Sequence, residues 1–167
     1  MNIFLLDLDP KVSARYLCNE HVVKMVLESG QMLSTAHQIK SDYTDGLYKA
    51  AHVNHPSTIW TRESIGNYLW HYEYFCCMAE EYEERYGKQH LTYLLLQSRL
   101  SIPPEKITKK ERTPIPLCMP DKYKQGDLVQ AYRSFYIGEK LKFAHWSLPS
   151  KVPHWIISTI RSNHAKE

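Results

Sequence analysis

Apolar positions along this chain recur with helical rather than strand spacing over most of its length. The first stretch is an exception: residues 3–8 (IFLLDL) form a short apolar run that predicts an extended segment, stopped by Asp9 and Pro10. From about Ser13 to Gln38 the pattern is helical, with Ser13 suited to an N-cap. Val22, Val23, Val26, Leu27 and Leu33 fall on one broad side of that helix. His21, Lys24, Glu28, Gln31 and Thr35 share another arc of roughly 80°. Gly30 costs such a helix about 1 kcal/mol relative to alanine, which is the mark of a backbone or ligand coming close.

Residues 40–57 read as a loop with one short ordered piece. A second long helix follows from Ser57 or Thr58 to Tyr86 and is closed by Gly87. Ile65, Tyr68, Leu69, Tyr72, Phe75, Cys76 and Ala79 make its apolar side. Glu63, Asn67, Trp70, Tyr74 and Glu81 make a second stripe, which suits a pocket wall and an interior hydrogen-bond network equally. A third helix covers Gln89 to Leu100. Residues 101–126 then change character: five prolines among clustered lysines and arginines predict an irregular, basic excursion. A last helix from Asp127 to Phe143 precedes a tail with a short polar end. No repeat or strong boundary divides the chain, so the expectation is a mainly α fold: one compact helical bundle over residues 1–167 carrying a proline-rich basic excursion.

Composition narrows this only slightly. The chain has 167 residues, enough for one domain with a substantial core, and its formal charge of +3 excludes a general polycation. Binding to nucleic acid must therefore come from local clusters such as KKER and KYK, and from YRSFYIGEKLKFAHW (132–146), where basic and aromatic residues interleave. A core role for Phe135, Phe143 and Trp146 is the alternative. Cys18, Cys76, Cys77 and Cys118 have neither disulfide-framework nor zinc spacing, so free thiols are expected. The apolar start is broken by Asp7 and Asp9 and has no basic leader. It predicts neither a signal peptide nor a membrane span, hence a cytoplasmic protein, in the host cytoplasm if the gene is viral. His52 and His55 lack a ligand pattern; capping or core contacts are expected of them, and no metal. No phosphate loop, nucleophile elbow or dinucleotide fingerprint is present.

His21, Lys24 and Glu28 carry the sharper chemistry. An exposed i,i+4 Lys–Glu pair is ordinary, yet the trio also sets an imidazole, an amine and a carboxylate on one surface as base, nucleophile and acid. Spacing alone fits both.

With these residues in view, LCNEHVVKMVLESGQML resembles the phage pyrimidine-dimer DNA glycosylase family, also called endonuclease V of the dimer-specific kind. That family likewise has a histidine seven residues before a glutamate on its first helix. HPSTIWTRESIGNYLWHYEYFCCMAEEYEERYGK resembles its second long helix, and YRSFYIGEK its aromatic, basic C-terminal segment. The three matches keep the family's order over about half the chain, which also resembles longer phage-encoded proteins with the same His–Lys–Glu helix.

The resemblance implies a compact helical protein that binds and distorts duplex DNA at a lesion, with no cofactor. It implies a glycosylase with AP-lyase activity on a damaged or modified pyrimidine. The chain's free amine, that of Met1, would attack C1′ and form an imine, and Glu28 would be the carboxylate that assists base loss and strand cleavage. His21 would position the site or contact DNA, and Lys24 is a substitute amine. Candidate contacts to DNA or substrate are Arg62, Glu63, Asn67, Lys88, Arg133, Tyr136 and Lys140. An α-amine is less basic than a lysine amine and keeps a larger neutral fraction near pH 7. Three features depart from the family: Asn2 favours retention of Met1, Met1 lies further from His21 than the family's first residue does from its histidine, and Leu27 replaces an arginine just before the glutamate. Two other functions fit the same residues: a phage or host-interaction binding protein on this scaffold, and an enzyme acting on a free modified nucleotide.

Overall fold

The computed structural model describes residues 1–164. Among them are seven α-helices and no strand: α1 (Pro10–Tyr16), α2 (Asn19–Lys40), α3 (Pro56–Glu63), α4 (Ile65–Tyr86), α5 (Leu91–Leu100), α6 (Leu128–Phe135) and α7 (His154–His164). The expected mainly α bundle is what forms. α2 is its centre, packed against α3, α4 and α5, while α1 lies on α4.

Two expected long helices are each broken in two. Asp9, not Ser13, caps the first piece, its carboxylate accepting from the backbone N–H groups of Lys11 and Val12. Ser13 is buried within α1, and its Oγ accepts from the Leu6 N–H at 2.9 Å and donates to the Phe4 carbonyl. The chain then breaks at Leu17 and Cys18, both extended. The second break is at Ser64, an extended residue whose hydroxyl accepts from the Asn67 N–H and opens α4. Side-chain periodicity runs through both breaks, so spacing alone could not reveal them. Gly87 closes α4 in the left-handed conformation, as expected.

The apolar side of α2 is also rotated from expectation. Val23 and Leu27 are exposed, whereas His21, Glu28 and Thr35 are buried. The buried arc is centred on Ser29, Met32 and Ala36, whose small or flexible side chains allow close helix packing. Gly30 serves that closeness: a β-carbon there would stand 2.5 Å from Thr92 Cγ2 and 3.2 Å from Leu96 Cδ1 of α5.

Residues 3–6 are not a strand but a thread through the core, with Ile3, Phe4, Leu5 and Leu6 all buried. No neighbouring strand satisfies their backbone, so side chains do. Tyr74 donates to the Phe4 carbonyl at 2.7 Å, and Arg133 Nε donates to the Leu6 carbonyl at 2.8 Å. The basic excursion is likewise strapped to the bundle. Ile65 and Gly66 donate to the carbonyls of Thr108 and Lys110, and the excursion's own Ile107, Ile115 and Met119 are buried. The expected last helix to Phe143 ends at Phe135, continues as a π-helical turn over Tyr136–Lys140, and the tail forms α7.

Candidate active site

The threaded N-terminus brings residue 1 to the middle of α2. The Met1 side chain is sunk into the protein, only 2% exposed, with Thr58 Oγ1 donating to its Sδ at 3.3 Å. Asn2 is fixed on both ends of its amide: Nδ2 donates to the Cys118 carbonyl, and Oδ1 accepts from the Ile3 N–H and the Tyr132 hydroxyl. With both side chains held, the Met1 amine stands 3.6 Å from Glu28 Oε2. The Asn2 N–H donates to the same oxygen at 3.2 Å, and Lys24 Nζ is 3.4 Å from Oε1. A carboxylate 9% exposed is thus held between two amines, one anchored and one on a largely exposed stem.

These groups line a cavity of about 250 Å³ whose walls are Met1, Asn2, Phe4, His21, Lys24, Met25, Glu28, Phe135 and Lys140. His21 stacks on Phe4 with centroids 4.5 Å apart, and its Nδ1 lies 2.8 Å from the Tyr136 hydroxyl. Burial, reinforced by the charges of Lys140 and Lys24, pulls its pKa down to about 4, so the ring is neutral near pH 7. Lys140 Nζ lies 4.9 Å over the Phe135 ring and brings a third cation to the cavity wall. The arrangement can supply a nucleophilic amine, a carboxylate to oppose developing positive charge, and a neutral imidazole for hydrogen bonding.

Met1, His21, Lys24, Glu28 and Lys140, singled out from sequence, are gathered here. The others do not line it. Arg62 donates to the Val53 carbonyl at 2.7 Å and holds the preceding loop. Asn67 is fully buried, donating to the Trp60 carbonyl and accepting from the Thr113 N–H, so it pins the excursion. Arg133 bonds the Leu6 carbonyl and Asp7 and lies over Tyr16 and Trp155. Glu63 is exposed beside a small groove with Pro56, Ile59 and Trp60, and Lys88 is exposed just past α4. Tyr136 is fully buried behind His21. Asn67, Trp70, Tyr74 and Glu81 of the second stripe are all buried, while Glu63 of the same stripe is exposed. His55 caps α3, accepting from the Ser57 N–H. All four cysteines are free, and among the described residues no group of three potential ligands could hold a metal ion. No helix among them is long and apolar enough to cross a membrane.

Sequence reasoning missed Asn2, Phe4 and Met25 as wall residues and left Phe135 between nucleic-acid contact and core; it is a wall residue. These residues come from three separate segments, and only the implied role of the N-terminal amine pointed to residues 1–4 at all.

A buried amine–carboxylate pair at the end of a threaded N-terminus defines a site for amine chemistry. The model of the pyrimidine dimer DNA glycosylase family matches residues 1–94, from that amine through α4 and into α5. The chain belongs to this family: it is a pyrimidine dimer DNA glycosylase in the general sense, a DNA-repair protein whose substrate is DNA. No curated protein and no solved structure gives a significant match.

Proposed function

We propose that the protein excises a damaged or modified pyrimidine from duplex DNA and then cleaves the strand as an AP lyase, with the Met1 amine as nucleophile and Glu28 as its carboxylate partner. The observation that carries this is the 3.6 Å approach of the Met1 amine to Glu28 in a cavity open to substrate. The neutral amine attacks C1′ of the damaged nucleotide. The N–C1′ bond forms as the glycosidic bond breaks, and the base leaves with the electron pair and is then protonated. Opening of the sugar ring, with a proton to O4′ and loss of a proton from nitrogen, gives the imine. Loss of a C2′ proton then expels the 3′ phosphate. Glu28 opposes the positive charge that develops at the sugar and takes the protons released beside it. Lys24 pairs with Glu28, and Lys24, Lys140 and Lys88, past the end of α4, supply positive charge for the backbone phosphates. C1′ is shielded inside a duplex, so the target nucleotide must be turned out or the helix kinked to reach the cavity.

Borohydride trapping tests this on abasic and ultraviolet-irradiated duplexes. We expect a covalent adduct that maps to Met1 and persists in Lys24→Ala. An adduct confined to Lys24 would move the nucleophile. Base release without any adduct would remove the lyase step. Neither release nor adduct, together with weak and salt-insensitive DNA binding, would overturn the proposal.

A further inference from the structure

The family match ends at residue 94, but one wall of the cavity does not. Phe135 and Lys140 line it from the far end of the chain, and Tyr136 lies directly behind His21 with none of its surface exposed. The Tyr136 hydroxyl has three polar neighbours: the Cys18 N–H donates to it at 2.9 Å, and two acceptors are placed for its own proton, His21 Nδ1 at 2.8 Å and Cys18 Sγ at 3.1 Å. It has one proton to give. An imidazole nitrogen is a far better acceptor than a thiol sulfur, so that proton goes to Nδ1. A neutral ring that accepts at Nδ1 carries its own proton on Nε2.

Nε2 makes no hydrogen bond within the described protein, and it is not among the buried atoms left without a partner, which are Trp146 Nε1 and Trp155 Nε1. It is therefore accessible to solvent, on a ring that is itself a cavity wall. We infer that Tyr136 is a positioning residue for the reaction: its buried hydroxyl fixes His21 as the Nε2–H tautomer, so that a neutral hydrogen-bond donor faces the substrate beside Glu28. This rests on the proposed amine chemistry at that cavity.

The local fold supports the assignment. Tyr136 opens a π-helical turn in which the Leu141 N–H donates to its carbonyl, five residues back. Such turns widen a helix by one residue and are frequent at functional sites. Here the wide turn sets Tyr136 inward under His21 while Lys140 comes over Phe135 at the cavity. The donor fixed in this way suits an oxygen that gains electron density as the sugar opens, and it adds no further positive charge near the attacking amine.

Nitrogen-15 spectra of His21 read the tautomer directly, without any activity. In the wild-type protein near pH 7 we expect the Nε2–H form alone; the Nδ1–H form would overturn the inference. In Tyr136→Phe, which keeps the ring and removes the oxygen, we expect a mixture of tautomers. The saturating rate of adduct formation on abasic duplex should fall by about tenfold, the rate equivalent of roughly one hydrogen bond, with half-saturation unchanged. An unchanged tautomer and an unchanged rate would overturn it as well. Should Tyr136→Phe fold poorly, the wild-type spectrum still decides. Absence of any adduct with the wild-type protein would strike the amine chemistry, a result distinct from the tautomer.

Discussion

Glu28 sits where three positive or donating groups converge, so its charge matters more than its shape. Gln keeps the volume and one acceptor but removes the charge that faces the Met1 amine and Lys24. Glu28→Gln should lower single-turnover base release by about 10²–10⁴-fold, the usual range for a positioned acid–base group. Its melting temperature and affinity for duplex DNA should stay close to wild type. Full turnover in that variant would remove Glu28 from the mechanism. Part of this was legible from sequence: the i,i+3 and i,i+4 spacing put His21, Lys24 and Glu28 on one face of a helix. Spacing could not say that this face is half sunk in protein, because Val23 and Leu27 look like core residues and turn out to be exposed. Burial was decided by the helices that dock on Ser29, Met32 and Ala36, a long-range fact that α2 alone does not contain.

The elements depend on polar pins as much as on apolar faces. Asn67, on the first turn of α4, donates to the Trp60 carbonyl at 2.8 Å and accepts from the Thr113 N–H at 2.8 Å. It thereby ties α3, α4 and the basic excursion together. Next to it, Gly66 lets the excursion approach: a β-carbon would stand 2.4 Å from the Arg112 backbone nitrogen and 2.7 Å from the Glu111 carbonyl carbon. Asn67→Ala strands two buried backbone groups and should cost about 2–4 kcal/mol in urea unfolding. It should also raise amide exchange at Thr113 well above that of the α2 core. Gly66→Ala should cost about 1–3 kcal/mol by the same measure, since backbone rather than a flexible side chain must yield. If Gly66→Ala gains stability from its better helix propensity, the excursion is less firmly seated than the hydrogen bonds of Ile65 and Gly66 imply. The sequence showed that residues 101–126 are irregular and basic. It did not show where they lie, because a segment without periodicity carries no local record of the surface it packs on.

For the whole molecule, two histidines kept neutral by burial make stability depend on pH. His71 is completely enclosed, with Nδ1 donating to Thr61 Oγ1 at 2.7 Å and Nε2 accepting from Ser29 Oγ at 3.0 Å; burial pulls its pKa down to about 3. His21 is pulled down to about 4 by burial and then by Lys140 and Lys24, with Glu20 opposing. In the unfolded chain both take up protons near pH 6.5, while the folded state does not. The unfolded state therefore binds more protons below that pH, and stability must fall as pH drops. The contribution is complete above about pH 6.5 and is lost between there and the folded values of about 4 and 3. Between pH 7.5 and pH 5 each histidine should withdraw about 2 kcal/mol, a large share of the 5–15 kcal/mol that typically holds a domain together. His37 and His90 are shifted the same way by burial and add to the trend. Urea unfolding of the wild type and of His71→Gln at both pH values isolates one of these contributions. The variant is less stable at pH 7.5, but its loss on going to pH 5 should be smaller than the wild type's by about 2 kcal/mol. Equal losses in the two proteins would mean that His71 takes up its proton in the folded core, against the enclosure that the bundle gives it.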